Sequence, residues 1–126
     1  MKQKITENLK NAWENRNKAI VLTTVSDKGI PNSIYATCTA LFNDNSILVT
    51  NNYFDKTLKN IANGAQASIL FITKDDKSYQ IKGRVKHFTS GTEFENMKSW
   101  NPKHLPGHGV AVIDIEEAYS GAERLL

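Results

Sequence analysis

A chain of 126 residues, 40% apolar, 23% charged and 9% aromatic, can close one hydrophobic core, and its composition is neither disordered nor fibrous. Its single cysteine, Cys38, excludes an internal disulfide, and no apolar run reaches the ~18 residues of a membrane helix. The net charge of +3 comes from lysines scattered among acids, which provides no basic face for nucleic acid.

The opening MKQKITENLKNAWENR lacks the apolar stretch of a signal peptide, so the expected compartment is the cytoplasm and no membrane partner is expected. Residues 5–17 instead read as an amphipathic helix, with Ile5, Leu9, Ala12 and Trp13 at spacings of three and four. Residues 19–26 (AIVLTTVS) form a short β-branched run closed by the turn signal Asp27-Lys28-Gly29. After Pro31, residues 33–42 alternate: Ile34, Ala36, Cys38, Ala40 and Phe42 on one face, Tyr35, Thr37, Thr39 and Leu41 on the other. Asn43-Asp44-Asn45-Ser46 turns the chain into a strand at 47–50, giving an antiparallel meander of three strands.

A short helix begins at Lys56 or Thr57, burying Leu58, Ile61 and Ala62, with Gly64 at the left-handed position past its end. Strands follow at 66–73 and 78–88, the second carrying Gly83 where a bulge or barrel bend is expected. Ser90 with Glu93, and Thr92 with Glu95, are overlapping capping boxes for a helix presenting Phe94, Met97 and Trp100. Residues 101–108 are irregular, 109–115 form a sixth strand, and the rest reads as a polar tail ending in Leu125-Leu126. The expected fold is α+β, mostly β: one domain over residues 1–126, a six-stranded antiparallel split β-barrel (Greek key) with two or three short helices.

Several chemistries lack their residues. His87, His104 and His108 have no metal-ligand spacing, since proline and glycine interrupt the last two, so no metal is expected. No nucleophile elbow or phosphate-cradling Walker loop occurs. Cys38, mid-strand on the apolar face, reads as a small hydrophobe.

The informative stretch is Thr50-Asn51-Asn52-Tyr53-Phe54-Asp55-Lys56-Thr57-Leu58. A strand end delivers polar groups, and a helix then begins with a cation and a hydroxyl where unpaired N–H groups attract anions. Beside it Ser33, Tyr35, Thr37 and Thr39 set a row of hydroxyls along one strand, either a solvated face or the edge of a ligand site. Tyr53, Phe54, Trp100 and Tyr119 are candidates for the apolar cover of a planar ligand.

The segments GIPNSIYATCTALFNDNSILVTNNYFDKTLKNIANGAQASILFI and YQIKGRVKHFTSGTEFENMKSW resemble the pyridoxamine-5'-phosphate-oxidase-like family of FMN-binding split barrels, in its short form. Gly29-x-Pro31, Asp55-Lys56-Thr57 followed by Asn60-Ile61, and Gly83-Arg84-Val85 carry the likeness through their order and spacing. The resemblance implies an intertwined homodimer with FMN at the subunit interface. It assigns Lys56 and Thr57 to the flavin phosphate, Tyr35, Ala36 and Thr37 to the ribityl chain and ring edge, and Thr50, Asn51 and Asn52 to the ground beneath the ring. It also implies a tail, ending at Leu126, that reaches the partner's flavin. The sequence departs from the pattern in having no arginine between Arg16 and Arg84, a small Ala36 where an aromatic would stack, and the insertion-like run 102–109. The basic residues that bind pyridoxal phosphate in the true oxidase are not recognisable, so vitamin B6 chemistry is not expected.

The function implied is a redox flavoprotein, an oxidoreductase or an electron carrier, with NAD(P)H or a redox protein as donor; the cofactor, not a side chain, would carry the electrons. The alternative is a non-catalytic flavin- or small-ligand-binding module for storage or sensing. A nucleic-acid-binding barrel is disfavoured, because Tyr35 and Tyr79 are too isolated to make a stacking platform.

Overall fold

The computed structural model describes residues 3–64 and 66–126. Helix α1 (Glu7–Glu14) is shorter than the periodicity suggested: the Thr6 side chain caps it by accepting the Leu9 N–H at 3.2 Å, and Asn15 ends it. Leu9, Ala12 and Trp13 form its buried face, as the 3–4 spacing requires.

The alternating run 33–42 is two strands. β1 (Ile20–Val25) pairs with β2 (Pro31–Ala36), whereas β3 (Thr39–Phe42) pairs with β4 (Ser46–Asn51). Thr37 and Cys38 belong to neither strand, and the Cys38 carbonyl accepts the Thr50 N–H at 3.0 Å. The alternation slips by one across this break. Ile34 and Ala36 pack on the inner core and so does Leu41, while Phe42 turns to a second cluster. A single strand could not reverse its faces in this way, because its side-chain period is two. Cys38 is therefore half-buried in a link between strands, not mid-strand on the apolar face.

The remaining strands are β5 (Gln66–Ile72), β6 (Ser78–Phe88), β7 (Gly109–Asp114), β8 (Glu117–Ser120) and β9 (Glu123–Arg124). All pairings are antiparallel, in the order β2-β1-β5-β6-β7-β4-β3. The two ends of that order, β2 and β3, are joined by only two residues, so the sheet curls until the chain closes it into a split barrel. β6 is the bent strand: residues 78–84 pair with β5 and 85–88 with β7. Gly83 stands at that bend, in close approach to the backbone of Asp114, as expected of a glycine there.

The tail is not structureless: β8 pairs with β6 and with β9, and Ala118 is fully buried. Strands of four and two residues are too short to show a period, so they escape a sequence reading. Leu125 and Leu126 pack on their own chain's core, and the Leu126 carbonyl accepts the Ala118 N–H at 3.3 Å.

Helix α2 (Lys56–Ala62) buries Thr57, Asn60 and Ile61, leaving Leu58 half-buried and Ala62 exposed; Gly64 follows at φ +80°. Helix α3 (Thr92–Trp100) starts from Gly91 at φ +94° with no side-chain cap, so neither capping box forms. Met97 of α3 covers Leu48, Val110 and Val112 on the outside of β4 and β7, while Ile47, Val49, Ala111 and Ile113 face the barrel interior. Hence β4 is buried along its whole length, which a strand covered on both faces requires. Among the described residues no helix is long and apolar enough to cross a membrane.

Candidate functional site

Where β2 gives way to β3, the sheet opens a cavity of about 390 Å3. One wall is Ile34, Tyr35, Ala36, Thr37 and Cys38; the other is Thr50 at the end of β4 with Asn52, Tyr53 and Phe54; Leu105 reaches in from the irregular run 101–108. Five predicted residues, Tyr35, Ala36, Thr37, Thr50 and Asn52, thus meet in one place. Tyr35 and Tyr53 are 79% and 77% exposed, large aromatics that water would not ordinarily be left to cover. Among the described residues the lining carries no charged side chain.

Thr50 is 4% exposed, and its Oγ1 is buried without any hydrogen-bond partner. An unpaired buried hydroxyl costs about 1–3 kcal/mol, and this one lies in the wall of the cavity, shielded in the ligand-free chain.

Asn51 does not face the cavity. Its Oδ1 accepts the Phe54 N–H at 3.0 Å, its Nδ2 lies 3.0 Å from His87 Nε2, and its carbonyl accepts the His108 N–H at 2.9 Å. Asn52 pairs with Asn101, whose Nδ2 donates to Asn52 Oδ1 at 3.2 Å, and that oxygen also accepts the Gly107 N–H at 2.9 Å. These bonds tie the 101–108 run across the cavity and bring in Leu105. That run looked like an insertion because its role lies in contacts with a distant loop.

Lys56 and Thr57 lie away from this cavity: Lys56 lines a depression of about 490 Å3 with Lys59 and Asn60 of α2, Asn63 just past the helix, and Ser26, Asp27, Ile30, Pro31 and Asn32, and Thr57 lines neither concavity. Lys56 is exposed on its wall, whereas Thr57 is 1% exposed and its hydroxyl accepts from Asn32 Nδ2 at 3.2 Å. Asp55, at the N-cap of α2, makes no side-chain capping bond. The two concavities sit at opposite ends of β2, Asn32 at one and Ala36 at the other, roughly 13 Å apart at the usual strand rise. Asn32, Cys38 and Leu105 were missed in the sequence; alternation along β2 could have found Asn32, two residues before Ile34.

Other candidates have structural roles. Thr39 accepts Arg16 Nη2 at 3.1 Å and leaves the hydroxyl row, and Ser33 pairs with Thr23 at 2.8 Å. Trp100 donates to Asn96 on its own helix, and Tyr119 donates to Glu117 at 2.6 Å, so neither covers the cavity. No group of three His, Cys, Asp or Glu side chains gathers among the described residues.

The relatives of this architecture are consistent. A curated relative, an uncharacterised protein of the archaeon Methanocaldococcus jannaschii, is 28% identical over 123 residues, covering 93% of this chain and 80% of its own. In fold the chain is similar to HupZ of Group A Streptococcus, with TM-score 0.82 at 24% identity over 97% of this chain and 98% of that one. It is also similar to an FMN-binding protein of Syntrophomonas wolfei (TM-score 0.65, 19% identity, 86% and 80% coverage). A third fold neighbour is HutZ, the haem storage protein of Vibrio cholerae (TM-score 0.66, 15% identity, 94% and 95% coverage). The sequence model of the pyridoxamine 5'-phosphate oxidase family matches residues 5–120. With nearly the whole barrel inside that match, the chain belongs to the pyridoxamine 5'-phosphate oxidase family.

Proposed function

We propose that this chain binds FMN along β2, the ring in the cavity beside Thr50 and the phosphate in the depression beside Lys56, as a redox flavoprotein. The unpartnered Thr50 hydroxyl carries the reading, since a flavin ring edge supplies hydrogen-bonding atoms that the chain itself does not. Thr37 and Asn52 line the same walls as further polar contacts, Ala36 and Phe54 offer apolar surface, and Tyr35 and Tyr53 flank the mouth. Lys56 provides the cation for a dianion, with Lys59 and Asn63 on the same wall, and Thr57 holds Asn32 in place at that end of β2. Asn51 supports the loop from behind. Bound flavin would supply hydride or single-electron transfer; the chain's residues bind it, orient it and exclude water.

A second copy of the chain is the proposed cover. Tyr35, Val21 and Leu70 are cross-strand neighbours on the outer face of β2, β1 and β5, and Val25 and Ile72 extend the same apolar surface. A row of this kind next to the cavity mouth suits an interface that shields a ring. Sedimentation at micromolar concentration reads the dimer directly.

Two substitutions test the placement. Lys56→Ala is expected to weaken FMN by about thirtyfold and riboflavin by less than about twofold, because only FMN presents the charge that Lys56 meets. Equal losses in a fluorescence titration would remove the phosphate from Lys56. Thr50→Val is expected to stabilise the ligand-free chain by about 1 kcal/mol in urea while weakening riboflavin about tenfold, since it deletes an orphan that only the ligand satisfies. Loss of stability with unchanged affinity would count against the ring position. Anaerobic mixing of the flavin-loaded protein with NADH or NADPH then separates an oxidoreductase, which bleaches, from a carrier that requires a protein donor.

The storage reading draws on the Vibrio neighbour named for haem storage. Haem requires an axial side chain, and among the described residues Cys38, Tyr35 and Tyr53 line the cavity with groups able to supply one. Titration with haemin and FMN in parallel, reading the Soret and flavin bands, distinguishes the two ligands.

A further inference from the structure

Asn51 has only one amide orientation that satisfies its surroundings. The Phe54 N–H requires an acceptor, so Oδ1 must face it at 3.0 Å, and the Nδ2 amino group then faces His87 Nε2 at 3.0 Å. The imidazole can only accept there, which fixes it as neutral with its proton on Nδ1. The ring cannot simply retreat. A Cβ on Gly109 would lie 2.4 Å from His87 Cε1 and 2.5 Å from Nε2, so the imidazole packs against that bare backbone.

We propose that His87 is the positioning residue of the ligand cavity and makes it pH-sensitive: its neutral ring locks Asn51 and the 52–54 loop, and its protonation releases them. This rests on the cavity being the ligand site. An imidazolium sets an N–H against the Asn51 amino group at 3.0 Å. Turning the amide by half a rotation offers Oδ1 to His87 but sets the amino group against the Phe54 N–H. One of the two bonds is lost in either arrangement: unturned, Asn51 loses its hold on His87; turned, the Phe54 N–H loses its acceptor, which loosens the cavity residues Tyr53 and Phe54 from β4.

The surroundings favour the neutral ring. His87 shares a shallow depression with Leu58, Ile61 and Ala62 of α2 and with Arg84 and Lys86 of β6; no carboxylate lines it among the described residues. From β7 it meets Gly109 and, across the ladder, Ala111, with the exposed His108 next in the chain; Glu116 is engaged by Arg84 at 3.5 Å. Burial holds the pKa of His87 below the ordinary 6.5. The sign follows. The unfolded chain takes up this proton from about pH 6.5 downward and the folded chain only at lower pH, so the stability contributed by the neutral ring is full above 6.5 and is lost as the pH falls toward the lower value of the folded ring; ligand affinity falls only where the folded ring takes up its proton.

The test uses riboflavin, which lacks the phosphate that would itself titrate near pH 6. Between pH 8 and pH 5 its dissociation constant is expected to rise about tenfold for the wild type and to stay flat for His87→Gln, whose side-chain oxygen accepts from Asn51 at every pH. Parallel rises in the two proteins, or two flat profiles, overturn the proposal. If riboflavin binds at no pH, the ligand reading fails by itself, and hydrogen exchange of the Phe54 amide in the free protein decides the lock. Protection lost on acidification in the wild type and kept in His87→Gln supports it; equal protection in both overturns it. Should His87→Gln fail to fold, the His104→Gln/His108→Gln variant leaves His87 as the last imidazole, and a nitrogen-15 spectrum with the neutral proton on Nε2 overturns the proposal.

Discussion

Gly83→Ala is expected to destabilise the chain by about 3 kcal/mol or more, a large part of the 5–15 kcal/mol that holds a domain of this size together. A Cβ at this position would lie 1.6 Å from the Asp114 carbonyl oxygen and 2.8 Å from its carbon. Both atoms are backbone, so no side-chain rotation relieves the clash. Either β6 straightens or the end of β7 moves away, and the latter carries Ile113 and leads into Ile115, both fully buried. The bend also directs β6 from β5 to β7, and β7 in turn positions β4, whose last residues include Thr50 and Asn51. A variant that still folds should therefore bind riboflavin more weakly. Urea unfolding measures the cost. Gly29→Ala is the control: its Cβ meets nothing within 4 Å, so only the left-handed φ of +79° is penalised, about 1–2 kcal/mol. A Gly83→Ala midpoint equal to that of the wild type would mean that this contact does not set the bend.

Trp13→Ala is expected to cost about 4 kcal/mol. Trp13 is 3% exposed and fastens α1 to the barrel: it meets Phe71 edge-on at 5.3 Å between ring centroids, and Phe71 in turn stacks on Tyr79 at 5.4 Å. The Arg16 guanidinium lies 3.8 Å over the indole and donates to the Trp13 carbonyl at 2.8 Å. Truncation opens a cavity and also uncovers a half-buried cation whose Nε already lacks a partner. Trp13→Phe keeps a ring for Phe71 and should recover about half of the loss. The thermal midpoint of the three proteins checks the order wild type, Trp13→Phe, Trp13→Ala; an unchanged midpoint for Trp13→Ala would mean that α1 contributes little to the fold.

The sequence was legible where one physical signal dominated. The spacing of Leu9, Ala12 and Trp13 marked α1, Gly83 marked the bend of β6, and Gly64 marked the end of α2. It misled where two structures share one pattern. Residues 33–42 alternate apolar and polar, yet the chain changes partners at Thr37 and Cys38 and reverses its faces. Ser90-x-x-Glu93 and Thr92-x-x-Glu95 have the spacing of capping boxes, but the left-handed Gly91 takes the cap position.

Of the predicted site, Tyr35, Ala36, Thr37, Thr50 and Asn52 share one cavity; the polar end of β4 and the hydroxyls of Tyr35 and Thr37 were readable in the residues, whereas Ala36 came from the family resemblance alone. Asn51 is turned away by its bonds to Phe54 and His87, Lys56 stands at a separate depression, and Thr57 is buried behind it against Asn32. Leu105, Asn101 and Gly107 reach the site from some fifty positions along the chain, through hydrogen bonds to Asn52 that no local pattern announces.

By itself the amino-acid order determined a mostly-β chain with short helices, most of the strands between 19 and 115, and the polar strand end and helix start at 50–57; the family resemblance added residues 35–37. The former follow from periodicity and turn chemistry, which act between residues close in the chain. Tertiary structure alone decided that β2 and β3 part to leave a cavity, that Thr50 keeps an unanswered hydroxyl in its wall, and that His87 stands behind Asn51. These depend on which distant backbones meet, and burial then fixes the partners of each polar group.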